Sequence, residues 1–289
     1  MDIMNALNAP LYNAGNLREG DDSGIKVMLE GREGTLDNFR LFHSVNQEGG
    51  WEAPRHRHNF EQIRFPLSGG FEYAPDKVLQ AGWVGYFPEG VYYGPQIRHK
   101  GLKMVVLQFG GASLSGYMST VQRRRGFNEL KAKGTFSKGV YSWVDEGGRK
   151  HNQDAFEATW EHINGRKLVY PRPRYDGLIM MDPAAYAWVD DPQQPGLSRK
   201  PLGTFTEREI RVDFVRLAAG ARLAPGARNA TEILFMPTGS ISHQGRTLGD
   251  ETAFGCMPGE TPEPLTAIAP SEFLRIRLPT LGEVARNVA

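Results

Sequence analysis

The sequence is short of cysteine, of net charge and of long apolar runs, and each shortage removes a class of protein. Among 289 residues there is one cysteine, Cys256, so neither an internal disulfide framework nor a multi-cysteine zinc or iron–sulfur site can form. A reducing cytoplasm fits that usage. Lysine and arginine number 34 against 33 aspartates and glutamates, a balance that offers no general attraction to nucleic acid or an anionic membrane surface. No stretch reaches about eighteen consecutive apolar residues, so no spanning helix is expected. The opening residues mix Asp2, Asn5 and Asn8 with short apolar stretches, which does not read as a signal peptide. Walker-type phosphate loops, a Rossmann glycine fingerprint and a Gly-x-Ser-x-Gly elbow are also missing, which leaves nucleotide and serine-hydrolase chemistry unsupported. The expected partner is a small molecule, with no nucleic acid and no membrane.

What is present favours β structure. Apolar residues make up 40% of the chain, enough for the cores of one large or two ordinary domains. The 34 glycines and 19 prolines punctuate short segments rich in valine, isoleucine, phenylalanine and tyrosine, the pattern of short strands joined by turns. Strands are predicted at 24–30, 38–45, 61–66, 70–73, 83–87 and 102–109. Residues 113–133 and 152–163 read as helices, the second with Phe156, Trp160 and Ile163 at helical spacing. The stretch 190–203, with Pro192, Pro195 and Pro201, reads as an irregular surface connection. The expected organisation is a first β unit at 1–112, a helical connection at 113–174 and a second β unit at 175–289.

An internal echo supports the two units. Gly50 is followed by WEAPR, His56, Arg57, His58, NFE, Gln62, IRFPLS and Gly69; Gly220 is followed by ARLAP, Gly226, Ala227, Arg228, NAT, Glu232, ILFMPT and Gly239. Every interval is the same, as a duplicated unit requires. Residues two apart on a strand share a face, so His56 and His58 can project into one cavity, and Gln62 and Arg64 can reach it from the next strand. An inward Arg64, or Arg55, can present a donor fork to a substrate carboxylate, or can be held in a salt bridge. Tyr86, Tyr92, Phe71 and Trp51 can line a pocket or simply fill the barrel. His243 is expected to face solvent, and Arg123, Arg124 and Arg125 to form a solvated helix face.

The spacing of Gly50 to Gly69 resembles the first motif of the cupin superfamily, with Gln62 at the usual glutamate position. Gly82, WVGYF, Pro88, Glu89 and Gly90 resemble the second motif, although Tyr93 stands where a histidine is usual and Ile97 where an asparagine is. The resemblance implies a mainly β protein of two jelly-roll barrels (a bicupin) with a partly helical connection, and often a homodimer. Carried over position by position, it implies metal ligands His56, His58, Gln62 and Tyr93; His99, which no motif position supplies, is an alternative ligand if its loop folds back. Such a mixed nitrogen and oxygen set suits a divalent first-row transition metal; iron is the first choice, with manganese, nickel or zinc as alternatives. The implied activity is dioxygenase-type oxidative cleavage of a small organic substrate. A metal-dependent isomerase or lyase, in which Tyr93 or His99 moves a proton and Arg64 holds substrate, is one alternative; a non-catalytic ligand-binding bicupin is another. The second unit has Gly226 and Arg228 at the histidine positions, which leaves Glu232 without imidazole partners and predicts a degenerate, structural barrel.

Overall fold

The computed structural model describes residues 1–12, 24–46, 51–227 and 229–281; Gly50 and Arg228 lie outside them. The chain is mainly β, with two α-helices among the described residues. The first barrel is built from a seven-stranded sheet, in the order Ile179–Met181, Val84–Phe87, Phe60–Ser68, Lys103–Gly110, Phe39–Val45, Gly24–Glu30 and Leu11–Tyr12, and a four-stranded sheet, Trp51–Ala53, Gln96–Arg98, Phe71–Ala74 and Lys77–Leu79. The second barrel is a nine-stranded sheet whose central strands are Thr252–Cys256, Glu232–His243, Leu265–Arg277, Ile210–Leu217 and Leu197–Phe205. Pairing among the described strands is antiparallel.

Period-two alternation explains how the barrels are joined. On Phe60–Ser68, Ile63 and Phe65 face the second barrel, where Phe65 lies 5.7 Å from Phe214 and 6.5 Å from Phe235, ring centre to ring centre. Tyr86, from the neighbouring strand, stacks on Phe205 at 4.3 Å. These side chains belong to one apolar cluster that includes Ile210, Val212, Leu274 and Ile276, so the sheets are buried on both faces and Phe60–Ser68 reads as an almost unbroken buried run. Tyr86 therefore lines the contact between barrels, not a pocket.

Two strands cross between the units. Asp2–Asn5 pairs with Thr252–Cys256, and Ile179–Met181 pairs with Val84–Phe87, so boundaries at 112 and 175 do not divide the sheets cleanly. Leu197–Phe205 is a strand and not the irregular connection expected from its prolines. Pro201 is accommodated at a register shift between Pro201 and Gly203, where a missing amide hydrogen breaks no regular ladder.

The helical connection is shorter in helix and richer in strand than expected. α1 spans Thr120–Lys131, beginning where Ser119 and Gln122 form a reciprocal capping box. Left-handed backbone at Leu114 and Gly116 keeps 113–118 out of it. α2 spans Ala155–Asn164 from an Asp154 cap to Gly165 in the left-handed conformation. Between them Gly134–Ser137, Val140–Val144 and Lys150–Asp154 form a small sheet; its half-exposed strands carry little apolar alternation. The helices cross at Gly126, where a Cβ would stand 2.7 Å from Ile163 Cγ1. Phe156 and Trp160 are buried and pack with Ile163 against Phe60, Tyr117 and Met118, which places α2 over one end of the first barrel. No helix among the described residues is long and apolar enough to cross a membrane.

Candidate binding site in the first barrel

The same alternation that sends Ile63 outward sends Gln62 and Arg64 into the first barrel. His56 does not sit on a regular strand. It is held by an isolated bridge to Tyr93, each amide donating to the other's carbonyl at 2.9 Å. The bridge sets the two rings 4.6 Å apart, and the His58 ring lies 5.0 Å from His56. His56, Gln62, Arg64 and Tyr93 are all buried, and Gln96 joins them from the strand Gln96–Arg98.

Their polar atoms are engaged with one another. Arg64 donates to Gln96 Oε1 at 2.8 Å, Gln62 Oε1 at 2.9 Å and Tyr93 Oη at 3.2 Å, with its guanidinium 4.6 Å from the centre of Phe71 and 4.4 Å from that of Phe87. Gln62 Nε2 donates to Tyr93 Oη at 2.8 Å. Because Gln96 Oε1 accepts from Arg64, its amide nitrogen faces His56 Nε2 at 3.0 Å. His56 Nε2 is thereby the acceptor, and Nδ1 carries the hydrogen to the Pro54 carbonyl at 2.6 Å. Tyr93 accepts two hydrogen bonds, so its remaining capacity is the hydroxyl hydrogen, which it can donate.

A second tier lies behind Gln62. Gln108 Nε2 donates to Gln62 Oε1 at 3.1 Å, while Gln108 Oε1 accepts from Arg40 at 3.0 Å and from the Tyr117 hydroxyl at 2.8 Å. Arg40 also donates to Thr120, tying the barrel interior to α1. The sequence reading missed Gln96, Gln108 and Arg40. The available signal was an inward polar residue in a run whose other inward positions, Met104 and Val106, are apolar.

The remaining candidates divide. His58 stacks on Phe60 at 4.4 Å and meets Phe156 of α2 edge-on at 4.8 Å, half-buried at the end of the barrel that the helix covers. His99 is 62% exposed and pairs with Glu72 at 3.2 Å. It follows the inward Gln96 and Arg98 by an odd step, faces outward and does not join the cluster. Arg55 and Arg57 lie against the exposed Tyr92, and Arg57 also against Tyr170, outside the barrel. Phe71 fills the interior, and the side chain of Trp51 lies outside the described residues. His243 is buried and not solvent-facing.

A metal ion needs lone pairs that converge without competing hydrogens. Here the acceptor nitrogen of His56 takes Gln96, Gln62 Oε1 takes two donors and Tyr93 Oη takes two. Among the described residues no group of three or more histidine, cysteine, aspartate or glutamate side chains could hold a metal. A guanidinium stands among the lone pairs an ion would use, and its fixed charge repels a second cation at close range. The residues in this arrangement do not fit a metal.

An acidic cluster sits on the opposite face of the same strand. Glu61 is buried; its Oε2 accepts from the Glu89 amide at 3.2 Å, and the Tyr86 side chain lies beside it. The Glu89 carboxylate accepts from Ser113 and from Arg174 at 2.7 Å, and Arg174 also binds Glu207. Burial, then the Glu89 charge, push the Glu61 carboxyl up to about 8, so it is protonated at neutral pH. Parity directs it to the second barrel and away from His56.

The chain matches no protein-family model, and no curated protein matches it in sequence. Solved structures do match in fold. A candidate dioxygenase of Nostoc punctiforme aligns over 99% of this chain and 85% of its own, with a TM-score of 0.63 and 12% identity. A point mutant of Bacillus subtilis oxalate decarboxylase aligns over 97% of this chain and 78% of its own, with a TM-score of 0.53 and 11% identity. A Geobacillus kaustophilus protein aligns over 98% and 95%, with a TM-score of 0.52 and 12% identity. At such identities the likeness carries the fold alone, a β jelly roll.

Proposed function

We propose that the first barrel binds a small organic molecule through a carbonyl or carboxylate oxygen, with the guanidinium of Arg64 supplying the positive charge that a metal supplies in other cupins. The observation that carries this reading is the set of three hydrogen bonds from buried Arg64 to Gln62, Tyr93 and Gln96. Arg64 and Gln62 together orient Tyr93 so that its hydroxyl hydrogen is offered to the bound oxygen, and a charge-assisted network strengthens that donation. His58, more open than His56, is the group suited to take or return a proton. The chemistry that follows is of the isomerase or lyase type: the ligand oxygen gains negative charge as a neighbouring proton leaves, and Tyr93 stabilises it. α2, packed on His58 and Phe60, excludes water from that end.

The metal-dependent reading, with iron first and dioxygenase-type cleavage as the activity, is favoured by one feature: His56 and His58 lie ring to ring in a fold shared with a candidate dioxygenase and an oxalate decarboxylase. One of the matching oxalate decarboxylase structures is described with Mn(II) centres. That reading requires Arg64 to withdraw. Elemental analysis of protein purified without a histidine tag decides between the two, comparing wild type with His56→Ala plus His58→Ala. Near-stoichiometric metal that disappears in the double variant overturns the guanidinium reading. Metal-free wild type that exchanges solvent deuterium into a 2-oxo acid or 1,3-dicarbonyl probe, with Tyr93→Phe unable to do so, supports it.

A further inference from the structure

The second barrel repeats the first barrel's cross-strand rung with different chemistry. In the first barrel Phe87, Gln62, Gln108 and Arg40 lie side by side on four neighbouring strands. Cys256, Glu232, Arg277 and Arg211 occupy the corresponding rung of the second. Glu232, at the position equivalent to Gln62, is buried and accepts from Arg277 Nε at 2.8 Å and from the Gly226 amide at 2.8 Å. On the adjoining rung Arg275 is paired across the strands with Asp213.

Of these side chains Arg211, Asp213, Arg275 and Arg277 open onto a cleft of about 340 Å³, which Arg199 also lines. A second cleft, of about 320 Å³, shares Arg211 and Arg277 with it. Volumes of this size match small-ligand sites. Four arginines converge there, and their acidic partners engage only part of each. Asp213 takes Nε and Nη2 of Arg275, which leaves Nη1. Glu232 takes only Nε of Arg277, which leaves both terminal amino groups. Asp191 holds Arg199 through Nη2 at 3.1 Å, while Arg199 Nε is buried with no hydrogen-bond partner among the described residues. Arg211 pairs with Glu209, two residues away, with both side chains about half exposed; such surface pairs contribute roughly 0–1 kcal/mol and are readily exchanged.

A lining so rich in guanidinium donors left over by their carboxylate partners suits an acceptor with several oxygens. We propose that this cleft is a second ligand site, which takes a small organic anion bearing two or more carboxylate or phosphate groups. Planar donor forks match both kinds of oxyanion in a two-point grip. Arg277 and Arg275 form the floor, fixed by Glu232 and Asp213. Arg211 and Arg199 form the rim, where the ligand displaces Glu209 and Asp191. The second barrel is then a binding barrel and not a structural remnant. The inference is independent of the chemistry assigned to the first barrel.

The test is isothermal titration of the full chain at fixed ionic strength with citrate, succinate and inorganic phosphate as probes. One saturable site is expected, with a dissociation constant below about 1 mM for at least one probe, weakened about tenfold or more in Arg199→Gln plus Arg211→Gln. Both substituted side chains are at least 40% exposed, so the melting temperature without ligand should be unchanged. Arg211→Ala alone serves if the double variant does not fold, and should weaken binding in the same direction. Binding of citrate or succinate but not phosphate assigns a carboxylate ligand, and the reverse a phosphorylated one; either supports the proposal. No saturable binding up to about 10 mM of any probe, or binding unaltered by the rim substitutions, overturns it.

Discussion

Replacing Arg64 with methionine tests the centre of the first barrel most directly, because methionine fills the space of the aliphatic stem and removes only the charged head. The substitution removes the donor for Gln96 Oε1 at 2.8 Å, one of the two donors to Gln62 Oε1 and one of the two to Tyr93 Oη. It also removes a cation lying 4.4 to 4.6 Å from two ring centres. Hydrogen bonds to a charged group contribute about 1.5–3 kcal/mol each, and a desolvated cation–π contact contributes about 2 kcal/mol. Relief of the desolvation of a buried guanidinium offsets much of that sum, and because its partners are neutral the net loss is that of leaving the buried Gln96 oxygen without its donor, about 1–3 kcal/mol. Urea titration of Arg64→Met, Gln96→Met and the double variant should show this loss for Arg64→Met at unchanged m-value, with a coupling of about 1–3 kcal/mol between the two positions. A loss under about 1 kcal/mol, or additive single effects, would refute the assignment of Arg64 as the internal cation of the barrel.

Three further outcomes follow from the same packing. Glu61 ordinarily titrates at 4.5 and is raised to about 8 in the fold, so the unfolded chain releases this proton first and wild-type stability falls as pH rises from 4.5 to 8. Glu61→Gln should flatten that part of the curve in a melting-temperature series, and parallel curves would contradict the burial argument. Burial lowers His43 from 6.5 to about 4, against the pull of Glu251 and with Lys103 and Lys26 adding to the lowering. Its contribution to stability is therefore present above 6.5 and lost as pH falls to about 4, and an NMR titration should find the imidazole still neutral at pH 5. Phe156→Ala should cost about 3 kcal/mol as a buried aromatic truncation and speed chemical modification of His58, whose ring it meets at 4.8 Å; an unchanged rate would mean that α2 does not cover the site.

The β class and the internal echo were legible because both are written in short-range patterns. Period-two alternation and turn residues mark strands wherever they lie, and the equal spacings of Gly50 to Gly69 and Gly220 to Gly239 need no tertiary contact to be seen. Alternation also tells which face a side chain takes, which is why Gln62 and Arg64 were correctly turned inward on Phe60–Ser68. It cannot name the neighbours, because register between strands distant in sequence is set by the closed barrel. Gln108 meets Gln62 from 46 residues away, and Asp2–Asn5 pairs with Thr252–Cys256 across nearly the whole chain. The set of four proposed ligands came from the resemblance to the cupin motifs, whereas the structure places the Arg64 guanidinium in their midst and His99 on the outer surface. By itself the sequence determined a mainly β, two-unit chain with a histidine-bearing first unit. Only the tertiary structure decided which lone pairs are already taken, because hydrogen-bond occupancy depends on side chains that converge from separate strands.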